Sequence, residues 1–238
     1  MAAVATSILD DNLRALSRAS PDVARRVRLA TPRRDVRFMT TDEIHDPCAL
    51  AAEVFDEIDP QSRRALCSRR RPLEEARRLI DTVDIADAAV FLVSGFAAGH
   101  HVRALAERLK RTGIIVVFEP DLALLRAVLE HIDCSAWLGS QNVAVVDDPD
   151  DGGALARVVE GVEGLVAMGV TLVEHPASRA RLADGTTRLH ARFLDVVKAV
   201  KMTVVTTLVQ VKTTLRNLTQ NLDRYVASPG IVELKNSC

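Results

Sequence analysis

The run AAVFLVSGFAAGHHVRALAERLKRTGIIVVFEPD, residues 88–121, decides the fold. It opens on six uninterrupted apolar residues, Ala88 to Val93, and reaches a second apolar run, Ile114-Ile115-Val116-Val117-Phe118. Runs of this length suit strands covered on both faces. Between them, residues 100–111 place Val102, Leu105, Ala106 and Leu109 on one face of a helix. Strand, helix and strand with short connections make a βαβ unit, which closes with a parallel pair and a right-handed crossover. The alternation continues outward: a helix over residues 121–132, a strand over 143–146, a helix over 155–165 and a strand over 170–173. The expectation is an α/β fold, a doubly wound, mostly parallel, Rossmann-like sheet built from residues 81–180.

On the N-terminal side, residues 1–80 read as an accessory segment. An amphipathic stretch carries Ile8, Leu13 and Leu16, and Val36-Arg37-Phe38-Met39 is strand-like. Helical patterns then dominate residues 49–80, split by Pro60 and by Pro72, which sits where a helix can begin. On the C-terminal side, residues 181–238 read as a long linker helix. From Thr187 to about Ala227 there is neither Gly nor Pro, and apolar residues from Leu189 to Tyr225 recur mostly at spacings of three and four. The Thr/Val-rich middle, residues 203–207, has weak helix propensity, so the stripe needs burial. A homo-oligomer formed through this helix is one expectation.

Composition narrows the function classes. Lys and Arg number 31 against 32 Asp and Glu, a formal charge of -1, so no overall basic field exists to attract nucleic acid. Aromatic residues make up 3%, too few for base-stacking platforms. Cys48, Cys67, Cys134 and Cys238 form no CxxC pair, so no metal site and no disulfide framework is signalled. Reduced thiols, no leader-like N-terminus and no 18-residue apolar run suit a cytoplasmic protein without a membrane span.

The sharpest local signal is the turn after the first strand. Gly95 permits a tight reversal, while Ala97 and Gly99 let backbone approach a ligand or the sheet, and the helix that follows offers free N–H groups to an anion. Glu119 ends the second strand on the same edge, where an acidic residue accepts from ribose hydroxyls in Rossmann-like sites. Asp147 closes the third strand and His175 follows the fourth, so Gly95, Ala97, Gly99, Glu119, Asp147 and His175 are the candidate cofactor-binding residues. The turn is left open between one that binds a nucleotide or nucleotide sugar and a purely structural one, and the catalytic residues are unknown. His100 and His101 read as capping or solvent-facing, and the acidic loop 147–151 as an exposed turn.

Several pieces together resemble the motility-associated (Maf) glycosyltransferases, which modify flagellin with nonulosonic acids. Cys67-Ser68-Arg69-Arg70-Arg71-Pro72-Leu73-Glu74-Glu75-Ala76 resembles the family's Ser-Arg-x-x-Pro-x-x-Glu-Ala segment. Gly95-Phe96-Ala97-Ala98-Gly99-His100-His101 resembles its Gly-x-Gly-x-Gly-x-His turn, with Ala97 in place of the middle glycine. Val117-Phe118-Glu119-Pro120-Asp121 resembles its Glu-Pro-Asp strand end, and residues 215–222 resemble its Asn-rich helix. The resemblance spans about residues 60–238. It implies an N-terminal, non-catalytic part that positions a transferase domain or recognises the acceptor, with flagellin or that C-terminal domain as partner and the transferase domain expected beyond residue 238. Two other classes stay open: an S-adenosylmethionine-dependent class I methyltransferase-like domain, resting on the same turn with Glu119 and Asp147 or Asp148, and a non-enzymatic oligomerising module.

Overall fold

The computed structural model describes residues 7–55, 63–110, 112–140, 142–166 and 168–227. Pro60 and Cys238, both used in the sequence reading, lie outside the described residues. At its centre is a parallel sheet of β4 (Val90–Ser94), β5 (Ile114–Phe118), β6 (Val143–Val146) and β7 (Val170–Glu174), in the order β6-β5-β4-β7. The chain steps outward from β4 to β5 to β6, then returns to add β7 on the other side of β4. This reversal is the doubly wound arrangement, and it opens a switch point between the carboxyl ends of β4 and β7.

Every residue of β4, β5 and β6 is buried, which is why these strands read as unbroken apolar runs. Phe91, Leu92 and Ile115 are among the largest fully buried side chains, each stabilising the fold by about 1.5–3 kcal/mol relative to exposure. The β7 strand lies at the sheet edge and keeps Leu172 exposed. The connections are α4 (His100–Leu109), α5 (Leu122–His131), the short α6 (Ser135–Ser140), α7 (Gly152–Val159) and α8 (Glu163–Val166). Residues 155–165, expected as one helix, divide because Gly161 takes a φ of +77° between α7 and α8.

Before the sheet, α1 (Ile8–Leu16) and α2 (Pro21–Leu29) precede β1 (Arg37–Met39), β2 (Ala51–Phe55), β3 (Arg63–Ala65) and α3 (Pro72–Asp81). The three strands form an antiparallel sheet, with Phe38 opposite Ala52 and Val54 opposite Arg64. The helical reading of residues 49–80 is therefore corrected at β2 and β3. Ala51, Ala52 and Glu53 have little strand preference of their own; β2 exists because it pairs on both sides.

The N-terminal helices share a core with the parallel sheet. Buried Asn12 donates from Nδ2 to the carbonyls of Leu129 and Ile132, both at 2.8 Å, and accepts from the Cys134 amide at 2.7 Å. It thereby satisfies the carbonyl end of α5. Ser20 Oγ accepts from the Val145 amide at 2.8 Å.

The long helix α9 runs Pro176–Gln220, followed by α10 (Leu222–Ala227). It begins well before the expected Thr187 because Gly185 lies inside it. A Cβ at that position would meet the Phe118 ring at 2.5 Å, so glycine is what lets α9 rest against the end of β5. The chain forms two compact units, Met1–Val197 and Lys198–Cys238. In the first, α9 buries Ser178, Leu182, Thr186, Leu189, Phe193 and Val197, spaced three and four apart. In the second, Leu208, Val211, Leu215, Leu218 and Leu222 are exposed. Among the described residues, no helix is long and apolar enough to cross a membrane.

Candidate functional site

The parallel register sets the geometry of the site. Ser94 lies beside Phe118 on one flank and Glu174 on the other, so the segments after β4, β5 and β7 emerge at one carboxyl edge. Gly95, Ala97 and Gly99 all take positive φ, at +89°, +46° and +82°, and carry the chain directly from β4 into α4. The tightness of this turn is used by the protein itself. A Cβ at Gly95 would collide with Ser178 Oγ, and one at Gly99 would meet the Phe96 ring at 3.0 Å. The first turn of α9 therefore sits on Gly95, and Phe96, stacked on Trp137, underlies Gly99.

Glu119 is fully buried beneath the same turn. One carboxylate oxygen accepts from the Phe96 amide and the other from the Asp121 amide, both at 3.1 Å. Arg181 Nη2 from α9 reaches both oxygens, at 2.9 and 3.0 Å. Burial pushes the Glu119 carboxyl above the usual carboxylate range, and the Arg181 charge opposes that shift. In this conformation the carboxylate ties the turn, β5 and α9 together. Asp147, at the end of β6, is held by Arg26 from α2, with contacts of 2.8 and 2.5 Å. An S-adenosylmethionine site of the kind weighed from the sequence would draw on Glu119 and Asp147, and both are engaged by other groups here.

The open space lies beside the turn. A cavity of about 310 Å³ is walled by Ala98, His100 and His101 from the start of α4, and by His175, Pro176 and Ala177 from the start of α9. The wall is completed by Ala65 at the end of β3, by Cys67, Ser68 and Arg69 of the β3–α3 connection, and by Pro72, Glu75, Ala76 and Leu79 of α3. This is the switch point between β4 and β7, the place where open α/β sheets bind ligands. Of the sequence candidates, His175 lines the cavity, Gly95, Ala97, Gly99 and Glu119 form and brace the adjoining turn, and Asp147 belongs to a separate ion pair.

The histidines differ from expectation. His100 and His101 are buried, each bonded through Nε2 to a carbonyl, Leu50 at 2.8 Å and Gly95 at 3.0 Å. A carbonyl only accepts, so each Nε2 carries the proton. Burial lowers the pKa of both, that of His101 further because His175 lies against it. The rings of His101 and His175 stack at 4.1 Å with 18° between their planes. Burial lowers His175 to about 4, so it is neutral near neutral pH. Cys67, also on the wall, is pushed up to about 12 by burial and stays a thiol. Ser68 and Glu75 entered the sequence reading only through the quoted motif, because nothing local connects them to the Gly-rich turn.

Fold and site together define an α/β protein with a doubly wound parallel sheet and a cavity at its switch point. No protein-family model matches the sequence, and no curated protein matches it. Among solved structures it is similar to a MAf glycosyltransferase from Magnetospirillum magneticum AMB-1, with 13% identity and a TM-score of 0.42. The match covers 78% of this chain and 35% of that one, so the chain spans about a third of that protein's length.

Proposed function

We propose that this chain is the non-catalytic, positioning or acceptor-recognition part of a motility-associated glycosyltransferase, acting in the cytoplasm, and that the cavity is its recognition site. One observation carries the reading. The separate segments that resemble the family's motifs meet in space: parts of the 67–76 and 95–101 segments line one cavity, and Glu119 of the third motif accepts from the Phe96 amide within the second. Segments distant in sequence that converge on a concave site point to shared use of that site. Recognition of flagellin as the acceptor by this chain, and sugar transfer by a separate domain, complete the proposal.

The test pairs binding with turnover. The purified chain is expected to capture flagellin in a direct binding assay, yet transfer no sugar to it from a CMP-activated nonulosonic acid. Measurable glycosylation by this chain alone would overturn the reading, and no flagellin binding would overturn its acceptor-recognition arm.

A further inference from the structure

The second compact unit has a charge balance of its own. Between Lys198 and Ala227 stand five basic residues and one acidic residue, Asp223, a net charge of +4, although the whole chain carries -1. From residue 196 to residue 222 there is no acidic residue at all. The cations are also placed. Along α9 the apolar stripe is Val204, Leu208, Val211, Leu215 and Leu218, and the residues that follow each of these form one flank: Val205, Val209, Lys212, Arg216 and Thr219. The residues that precede each form the other flank: Thr203, Thr207, Gln210, Thr214 and Asn217. Cations therefore border the stripe on one side only, Lys201 continues its line one heptad before Leu208, and the opposite flank is uncharged.

Two observations bear on the surface such a helix fits. The apolar face is broader than a two-stranded seam, because Met202, Val205 and Val209 beside the stripe are exposed as well. The threonine hydroxyls are already satisfied: Thr203, Thr206, Thr213 and Thr219 each donate to the carbonyl four residues earlier, at 3.1, 2.9, 3.1 and 2.8 Å. A helix of this kind carries its hydroxyls into a medium poor in water without leaving a donor unpaired. A second copy would cover the apolar residues and leave the charge unmatched. Partner choice between coiled-coil helices is set by opposite charges beside the seam, and neither flank of this stripe holds an acid. In a parallel pair Lys201 would face its own counterpart. An anionic lipid surface matches both features, since acyl chains take the stripe while Lys and Arg stems lie along it and lift their charged heads to the phosphates.

We propose that residues 201–226 bind peripherally to an anionic phospholipid membrane, with Leu208, Val211, Leu215 and Leu218 in the acyl boundary and Lys201, Lys212 and Arg216 at the phosphates. The segment lies in the plane of the interface and does not span it; among the described residues no helix is long and apolar enough to cross a membrane. The inference is independent of the cavity and of the acceptor reading.

The experiment floats the full chain on a density gradient with vesicles of phosphatidylcholine alone, or of equal parts phosphatidylcholine and phosphatidylglycerol. Binding to the mixed vesicles is expected to be about tenfold or more stronger than to phosphatidylcholine, and to weaken as salt rises. Lys212→Gln with Arg216→Gln is expected to lower the affinity for mixed vesicles about tenfold. Leu208→Glu with Leu215→Glu is expected to abolish binding. Neither pair should shift the melting of the α/β unit, because all four side chains are exposed in the second unit. No flotation with mixed vesicles at low salt, equal flotation with both kinds, or undiminished binding by the leucine-pair variant would overturn the inference. Self-association without flotation would give the stripe to a second copy, and binding of soluble polyglutamate without flotation would give the basic flank to an acidic protein; either result overturns it likewise.

Discussion

Arg181 Nη2 bridges both carboxylate oxygens of Glu119, at 2.9 and 3.0 Å, across 62 residues of sequence. Glu119 is inaccessible to solvent, and the same carboxylate holds the Phe96 amide of the Gly-rich turn. A single buried group thus joins the end of β5, the turn after β4 and the start of α9.

Arg181→Met is expected to destabilise the protein by about 3–5 kcal/mol, because it leaves a buried carboxylate without its countercharge. Combining it with Glu119→Gln should recover part of that loss, since the stranded charge is then gone. Denaturant unfolding of both single variants and the double variant measures the coupling. A loss below about 1 kcal/mol for Arg181→Met would mean that the pair behaves as an exposed one.

Acid sensitivity should trace to the buried imidazoles. The folded pKa of His175 is depressed from 6.5 to about 4, so the unfolded chain binds a proton first as pH falls. Its contribution to stability is complete above pH 6.5 and is lost as pH drops through about 4. The full shift corresponds to about 3 kcal/mol. His100 and His101 are depressed too and act in the same direction, whereas the raised carboxyl of Glu119 acts in the opposite one. His175→Phe keeps a ring to stack on His101 and should flatten the stability profile between pH 6.5 and 4. An unchanged slope would remove His175 from the account.

Gly185→Ala sets helix propensity against packing. Alanine in a helix interior gains about 1 kcal/mol over glycine. Its Cβ, however, would meet the buried Phe118 ring at 2.5 and 2.7 Å. Overpacking of that kind costs about 1–3 kcal/mol, so net destabilisation is expected. In a Phe118→Leu background, where the ring edge is removed, the sign should reverse relative to that background. Thermal melts of the four combinations decide it.

The exposed stripe of the second unit predicts self-association. Val204, Leu208, Val211, Leu215 and Leu218 alternate spacings of four and three, the 3.5-residue period of a coiled-coil seam, and the last four are exposed. Concentration-dependent association of the full chain is expected in sedimentation experiments. Leu215→Glu with Leu222→Glu should weaken it while leaving the far-UV spectrum and the melting of the α/β unit in place. A strict monomer at high concentration that binds no hydrophobic dye would end the oligomer expectation.

Much of the fold was legible because its signals are local. Residues 88–93 and 114–118 read as buried strands from their apolar runs, the first beginning two residues before β4 does, residues 143–146 read as a strand from the continuing alternation, and Val102, Leu105, Ala106 and Leu109 marked α4 by spacing; the strand alternation also implied the parallel, doubly wound sheet. Of the antiparallel sheet only β1 was legible, from Val36 to Met39; β2 was not, because Ala51-Ala52-Glu53 becomes a strand only through partners on both sides. The start of α9 was hidden by Gly185, whose helical role depends on a ring 67 residues earlier in the chain.

For the site, the sequence alone placed Gly95, Ala97, Gly99, Glu119 and His175 at one sheet edge, since strand ends in a parallel sheet must share an edge. Only tertiary structure decided what each does there. Ser178 and Leu182 cover Gly95, Arg181 engages Glu119, Arg26 engages Asp147, and the open space shifts to Ala98, His100, His101 and His175. The physical reason is separation along the chain. Periodicity and turn chemistry report a residue's near neighbours, whereas burial, ion pairing and cavity shape depend on segments such as residues 67–69 and α9 that meet the turn only after the crossovers have folded back.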